Sequence, residues 1–143
     1  MIDQDIIIAK ATAFQRHLDK IKTKSSVNLS GFEKDGDLQD VMMFNLQMAI
    51  QNCIDIAAHI ISAEGLGVPG STNEMFYMLE EKAYLDRQLT EKMVNAVGFR
   101  NMIAHEYGKL DLSLVYRIAT SDISDLERFI STIIQKTCRT RKP

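Results

Sequence analysis

An arginine and a histidine five positions apart are the residues of this sequence best suited to chemistry. Arg100 and His105 lie in a segment whose apolar spacing is helical, and Asn101 follows the arginine directly. Arginine binds phosphate oxygens through a planar fork of donors, and histidine exchanges protons near neutral pH. Such a trio could cleave a phosphodiester without a metal, with an RNA 2′-hydroxyl as the nucleophile and His105 as general base or acid.

The same spacing sets Arg100 among apolar residues. At about 100° per residue, one helical stripe holds Met93, Val97, Arg100, Ala104 and Tyr107. A buried guanidinium needs a carboxylate, a subunit interface or an anionic ligand to compensate its charge. A purely structural interpretation is therefore open: Arg100 pairs with a buried acid such as Asp55, and His105 lies near the negative end of the helix dipole.

Asn101 and Gly98, in the same segment, lead to two further structural predictions. Asn101 and His105 are i,i+4 neighbours, so the amide could hydrogen-bond the imidazole and fix its tautomer. Gly98 costs a helix about 1 kcal/mol relative to alanine. We therefore expect another backbone or a ligand to approach closely at Gly98.

Helices are predicted along almost the whole chain, because apolar residues recur at spacings of three and four and no alternating segment of useful length occurs. The predicted helices are residues 2–22, a long one from residues 37–40 to Gly65, residues 71–83, residues 90–107, and a last one from Asp111 or Ser113 that could be interrupted at residues 120–124. Residues 23–36 are predicted to form a loop. The expected fold is all-α, an antiparallel four-helix bundle with one additional short helix, in a single domain over residues 1–143.

The charge balance argues against a broad nucleic-acid-coating surface. There are 17 Lys and Arg residues against 19 Asp and Glu residues, a net charge of −2. Residues 1–86 hold 7 basic and 13 acidic side chains, whereas residues 87–143 hold 10 and 6. The positive excess thus lies in the part that carries Arg100 and His105. Part of it belongs to a basic tail that we expect to be a solvated terminus, namely Lys136, Arg139, Arg141 and Lys142.

Several kinds of site are not expected. The acidic start is unlike a signal peptide, and no apolar run approaches the roughly 20 residues that span a bilayer, so we expect a cytoplasmic protein. Cys53 and Cys138 are interpreted as reduced thiols. The histidines lack partners at metal-ligand spacing, so no metal or cofactor is expected. His17 is expected to be exposed, and His59 to be solvated or at an interface.

The string Arg100–Tyr107, RNMIAHEY, resembles the Arg-x4–6-His motif of the HEPN superfamily. It has the polar residue that often follows the arginine and the His-x-Tyr ending of the HepT branch. The segment LQMAIQNCIDIAAHIISAEGL is similar to the long second helix of that family, and EMFYMLEEKAYLD followed by VGFRN is similar to its short helix and motif helix. The resemblance covers residues 38–112 best.

The resemblance implies a fold and a function. HepT-like proteins are helical homodimers that act as metal-independent ribonuclease toxins in type VII-like pairs, with the Arg and His of both subunits in a shared cleft. By this resemblance Arg100 and His105 are catalytic, Asn101 is supporting, and Tyr107 receives AMP from an MntA-type minimal nucleotidyltransferase antitoxin, which neutralises the toxin. The alternative is a non-catalytic helical module that docks and regulates a nucleotidyltransferase partner.

Overall fold

The computed structural model describes residues 1–138, and of Tyr107 it describes the backbone alone. Every regular element in that range is helical, which confirms the predicted all-α class. The α-helices are α1 (Gln4–Lys24), α2 (Leu29–Glu33), α3 (Gly36–Ala63), α4 (Thr72–Glu81), α5 (Arg87–His105), α6 (Leu112–Arg117) and α7 (Ile123–Thr137). A 3-10 turn covers Tyr107–Lys109, and a π-helical segment, Ile118–Asp122, joins α6 to α7.

Helices α1 and α3 pack against each other in antiparallel directions. Contacts between them pair residues in opposite order along the two helices: Met1 with Ala63, Asp3 with His59, Lys10 with Asp55, and His17 with Asn45. Fourteen residues of α3 are buried, so this helix is the centre of the bundle. No helix within residues 1–138 is long and apolar enough to cross a membrane.

Two histidines help to join α1 to α3. His17 is half-buried rather than exposed, and its Nδ1 lies 2.9 Å from Oδ1 of Asn45. The Asn45 amide nitrogen donates to the Val41 carbonyl, which leaves its oxygen to accept from His17. His59 is also half-buried, and its Nε2 accepts a hydrogen bond from the backbone N–H of Asp3 at 3.0 Å.

The connection between α3 and α4 follows the predicted signals. Gly65, just beyond the C-cap of α3, has a φ of +59°, which glycine adopts at no steric cost. The Ser71 hydroxyl then caps α4 by accepting from the backbone N–H of Glu74 at 3.1 Å. The Glu74 carboxylate accepts in return from the N–H of Gly70 at 2.9 Å. The predicted capping box is formed, with its reciprocal bond shifted by one residue.

The predicted loop over residues 23–36 contains a helix, α2. Asn28 caps it by accepting from the N–H of Gly31 at 2.8 Å. Phe32, in the second half of α2, is 1% exposed, and its ring centroid lies 5.7 Å from that of Tyr116. Burial of this phenylalanine therefore fastens the segment to the bundle. Helix α2 is thus a short helix that the prediction lacked, in addition to the predicted short helix α4.

Helix α5 begins three residues before the predicted Thr90 and ends two residues before Tyr107. Asp86 is the N-cap, because its carboxylate accepts from the N–H of Leu89 at 2.7 Å. The other carboxylate oxygen of Asp86 accepts from Arg128 of α7 at 3.1 Å. Asp86 thus fixes both the start of α5 and its position beside α7.

The last predicted helix is one continuous element with a local change of winding. Asp111 caps its start, and hydrogen bonds from the Ser113 side chain and backbone lower the pKa of the Asp111 carboxyl. The π-helical segment over residues 118–122 overlaps the predicted interruption. Helix continuity is thus kept through a widened turn rather than through a break.

Lys136, the first residue of the basic tail, was expected to lie in a solvated terminus, but the structure places it in a helix. Lys136 lies within α7, and its Nζ donates to the Ala83 carbonyl at 2.6 Å. Ala83 has a φ of +64°, just past the end of α4, so this bond fastens α7 to an unusual turn. The remaining tail residues in the prediction, Arg139, Arg141 and Lys142, lie outside the described residues.

Candidate functional site

Arg100 lies half-buried between α5 and α3. Its Nη2 donates to Oε1 of Gln51 at 2.6 Å, and its Nη1 donates to Oδ1 of Asn101 at 3.1 Å. Its Nε is buried without a hydrogen-bond partner. The guanidinium is therefore held by two neutral amides, one from each helix.

The alternative in which Arg100 pairs directly with Asp55 is not formed in the structure. Asp55 accepts instead from the Gln51 amide nitrogen at 2.8 Å and forms an ion pair with Lys10 at 3.0 Å. Gln51 stands between the arginine and the acid. No carboxylate among the described residues contacts the Arg100 guanidinium, so its positive charge is uncompensated by a direct partner.

The helical stripe around Arg100 runs from the core to the surface. Met93 and Val97 are buried, whereas Ala104 is exposed. Arg100 lies at the boundary, where the aliphatic part of the side chain can be buried while the charged end reaches the edge of the core. This position explains how an arginine fits within an apolar stripe.

His105 is the last residue of α5 and is exposed. The expected hydrogen bond between Asn101 and His105 is not formed among the described residues, and the Asn101 oxygen accepts from Arg100. Five residues of helix turn through about 500°, which leaves Arg100 and His105 about 140° apart around the axis. No hydrogen bond of the described residues joins these two side chains.

Tyr107 follows the histidine by two positions. Its backbone begins the 3-10 turn, after Glu106 has donated its N–H to the Met102 carbonyl at 2.8 Å to close α5. The motif tyrosine therefore lies where the chain leaves the helix, two positions after His105.

Gly98 has no close neighbour in this chain. A Cβ built on it would meet nothing within 4 Å, so the expected close approach is wrong for the single chain. Gly98 instead borders a cavity of about 610 Å³ between α5 and the α6–α7 region. Arg100 and His105 do not line this cavity.

An apolar stripe lies on the outer face of α3, next to the arginine. Phe44 is 57% exposed, Val41 is 36% exposed, and Met48 is half-buried. Positions 41, 44, 48 and 51 fall on one face of the helix, so the stripe leads directly to Gln51. The charged site and an unpartnered apolar face are thus continuous.

The remaining candidate groups are consistent with structural roles. Cys53 and Cys138 are free, and burial followed by the charge of Asp55 raises the pKa of the Cys53 thiol far above its ordinary value. Within residues 1–138, no three His, Cys, Asp or Glu side chains come together as potential metal ligands.

Sequence reasoning missed Gln51, and with it the roles of Asp55 and Lys10. The only available signal was the i,i+4 spacing of Gln51 and Asp55 on one face of a predicted helix. That spacing is common, and the contact with Arg100 spans 49 positions of sequence. Only the packing of α3 against α5 reveals it.

The fold and site define a helical-bundle protein whose motif helix presents an arginine and a histidine. A family model for ribonuclease HepT-like proteins matches residues 14–133. The chain belongs to the HepT-like family.

Relatives with assigned activities cover most of the chain. It is 34% identical over 129 residues to the mRNA nuclease HepT of Shewanella oneidensis, which covers 90% of this chain and 96% of the relative. It is 28% identical to the tRNA nuclease HepT of Aphanizomenon flos-aquae, over 80% of this chain and 78% of that one. Among solved structures it matches the tri-AMPylated Shewanella oneidensis HEPN toxin in complex with MNT antitoxin, with a TM-score of 0.85, 34% identity, and coverage of 92% and 98%.

Proposed function

We propose that this protein is the ribonuclease toxin of a toxin–antitoxin pair. The observation that carries the proposal is the Arg100 guanidinium on the motif helix of a HepT-like chain. Two neutral amides, Asn101 of the same helix and Gln51 of α3, hold it at the edge of the core. An arginine without a carboxylate partner is available to bind a phosphate. Family relatives named mRNA and tRNA nucleases support RNA as the substrate.

Arg100 and His105 divide the chemistry between them. Arg100 binds the non-bridging oxygens of the scissile phosphate and opposes the charge that develops there. His105 removes the proton from the ribose 2′-hydroxyl or protonates the leaving oxygen. The 2′-oxygen forms a bond to phosphorus while the bond to the 5′-oxygen breaks, which yields a 2′,3′-cyclic phosphate and a 5′-hydroxyl. No step of this reaction requires a metal.

The site is completed by a second copy of the chain. Within one copy, Arg100 and His105 leave α5 about 140° apart and share no hydrogen bond. The exposed apolar stripe of Val41, Phe44 and Met48 on α3 runs beside Arg100 and offers a surface for homodimer formation. Pairing two copies along this stripe would bring two motif helices and two sets of positive charge into one cleft.

The partner is an MntA-type nucleotidyltransferase antitoxin that transfers AMP to Tyr107. The similar Shewanella oneidensis toxin was solved in a tri-AMPylated form with its MNT antitoxin. Tyr107 follows His105 by two positions, so phosphates added there would repel an RNA backbone approaching the same helix end. We assign the pair to the cytoplasm, where its RNA substrates are.

Growth measurements test the toxin assignment. Expression of the wild-type protein alone should arrest growth, and Arg100→Ala should restore it. The exposed Arg16 on α1 provides a matched control, because Arg16→Ala removes the same charge and should remain toxic. Growth arrest that persists in Arg100→Ala would contradict the catalytic role and favour a binding module.

Co-expression with an MntA-type nucleotidyltransferase tests the modification. The intact mass of the toxin should rise by whole AMP increments of about 329 Da. Tyr107→Phe should lose these increments, whereas Tyr77→Phe, at an exposed tyrosine of α4, should keep them. AMP increments that persist on Tyr107→Phe would place the acceptor elsewhere.

A further inference from the structure

A line of side-chain contacts runs behind Arg100 and reaches α1. Lys10 pairs with one oxygen of Asp55 at 3.0 Å, and the other oxygen accepts from the Gln51 amide nitrogen at 2.8 Å. The Gln51 amide oxygen accepts from Nη2 of Arg100 at 2.6 Å. Three helices therefore contribute to the placement of one guanidinium.

The chemistry of the neighbours fixes the orientation of the Gln51 amide. A carboxylate can only accept hydrogen bonds, so Asp55 must face the amide NH2 group. A guanidinium can only donate, so Arg100 must face the amide oxygen. A flipped amide would lose both bonds, and the pairing of Lys10 with Asp55 holds the carboxylate in place.

The amide holds Arg100 without neutralising it. A carboxylate at position 51 would reach the same Nη2 atom, but it would form an ion pair and compete with phosphate for the guanidinium. A neutral acceptor fixes the geometry and leaves the full positive charge for the ligand. The Asp55 charge is kept one side chain away and is balanced by Lys10.

We propose that Gln51 is the positioning residue of Arg100, a neutral acceptor that orients the guanidinium toward RNA phosphate while preserving its charge. The proposal rests on the ribonuclease function proposed above. It goes further by assigning a role to a residue of α3, outside the Arg-x4-His motif.

Gln51→Glu is the decisive variant, because it keeps the shape of the side chain and places a negative charge against Arg100, while it shares with Gln51→Leu the loss of the donor to Asp55. We expect cleavage to slow by about a hundredfold, the usual effect of losing one charge-stabilising donor. Gln88→Glu, at an exposed position in the first turn of α5, adds the same charge about 18 Å from Arg100 along the helix axis and should cleave within a few-fold of wild type. Equal cleavage by Gln51→Glu and wild type would overturn the proposal.

RNA binding distinguishes neutralisation of the Arg100 charge from loss of the contact that positions Arg100. The probe is a 2′-O-methyl oligonucleotide, which lacks the nucleophilic hydroxyl and cannot be cleaved. For Gln51→Glu, the slope of log Kd against log salt should fall by about 0.7 per site, the value of one phosphate contact to a single strand. Gln51→Leu should keep the wild-type slope but cleave about tenfold more slowly, because the guanidinium keeps its charge and loses its hold.

Melting temperature tests the contact without any RNA. Gln51→Leu should lower the melting temperature more in the wild-type chain than in an Arg100→Met background, because in that background only the bond to Asp55 remains to be lost. Purely additive shifts would overturn the proposal. If wild type neither cleaves nor binds RNA, the proposed function fails, and non-additive melting shifts would still support Gln51 as the residue that holds Arg100.

Discussion

Arg100 lies both at the boundary of the core and in the proposed reactive site. Its stem extends from the buried Met93 and Val97 stripe, and its two terminal nitrogens are bound by Gln51 and Asn101. Holding both nitrogens reduces the freedom that a long side chain would otherwise lose on binding phosphate. The geometry therefore favours a preorganised phosphate contact.

Asn101 supports Arg100 rather than His105 in this arrangement. Asn101→Ala should slow RNA cleavage about tenfold, because a charged hydrogen bond that fixes Arg100 is lost. The pH profile of the rate should keep its shape, since the histidine loses no partner. The exposed Asn95 on the same helix serves as control, and Asn95→Ala should leave the rate unchanged. A profile displaced along the pH axis in Asn101→Ala would restore the original expectation that Asn101 orients the histidine.

At the residue scale, the sequence motif points to Arg100 and His105 as a proposed pair, but it does not indicate the residues that hold Arg100. Arg100 and His105 are found by a motif because they lie five positions apart on one helix. Gln51 contributes through a contact between α3 and α5, and no local spacing encodes such a contact. Asp55, the acid named in the structural alternative, lies one helical turn from Gln51 on the same face of α3.

At the scale of elements, apolar spacing predicted the long helices because burial on one face governs both sequence and structure. The start of α5 was predicted four residues late, at the cap Thr90 instead of Asp86. Both are good capping residues, and only tertiary contacts select between them. Asp86 caps α5 and also binds Arg128, which a local pattern cannot reveal. Helix α2 was missed because five residues are too few to show a period.

Gly98 gives a prediction for helix α5. Because a Cβ there would contact nothing in the chain, Gly98→Ala should raise the free energy of unfolding by about 0.5–1 kcal/mol through its helix propensity alone. Chemical denaturation of the two proteins measures this difference. The nearby Gly108 lies in open space outside any α-helix, and Gly108→Ala should give a smaller gain. A destabilised Gly98→Ala would show that another chain or segment approaches α5 at this position.

At the scale of the whole molecule, a net charge of −2 coexists with the proposed local site for an anion. The guanidinium of Arg100 has no direct carboxylate partner. Three of the other four described arginines do pair with acids, namely Arg87, Arg117 and Arg128. Local arrangement therefore matters more than total charge. The balance still excludes a surface that binds RNA along its whole length.

The exposed stripe of α3 gives a prediction for assembly. Phe44→Glu places a charge in the proposed subunit contact, so the protein should become monomeric in sedimentation or light-scattering measurements and lose most of its cleavage activity. The variant should remain folded, because more than half of the Phe44 side chain is exposed. Val68→Glu, at a 93% exposed site between α3 and α4, should leave both the assembly and the rate unchanged. A dimeric Phe44→Glu protein would place the contact on another face.

Cleavage of RNA by the purified protein in excess EDTA tests the central claim most directly. Wild type should release fragments that end in 2′,3′-cyclic phosphate and 5′-hydroxyl, and the matching 2′-O-methyl RNA should stay intact because its nucleophile is blocked. Arg100→Ala and His105→Ala should show no cleavage while each still unfolds in one cooperative melting transition. Cleavage by His105→Ala at the wild-type rate, or loss of wild-type activity in EDTA, would contradict an Arg100–His105 site that works without a metal.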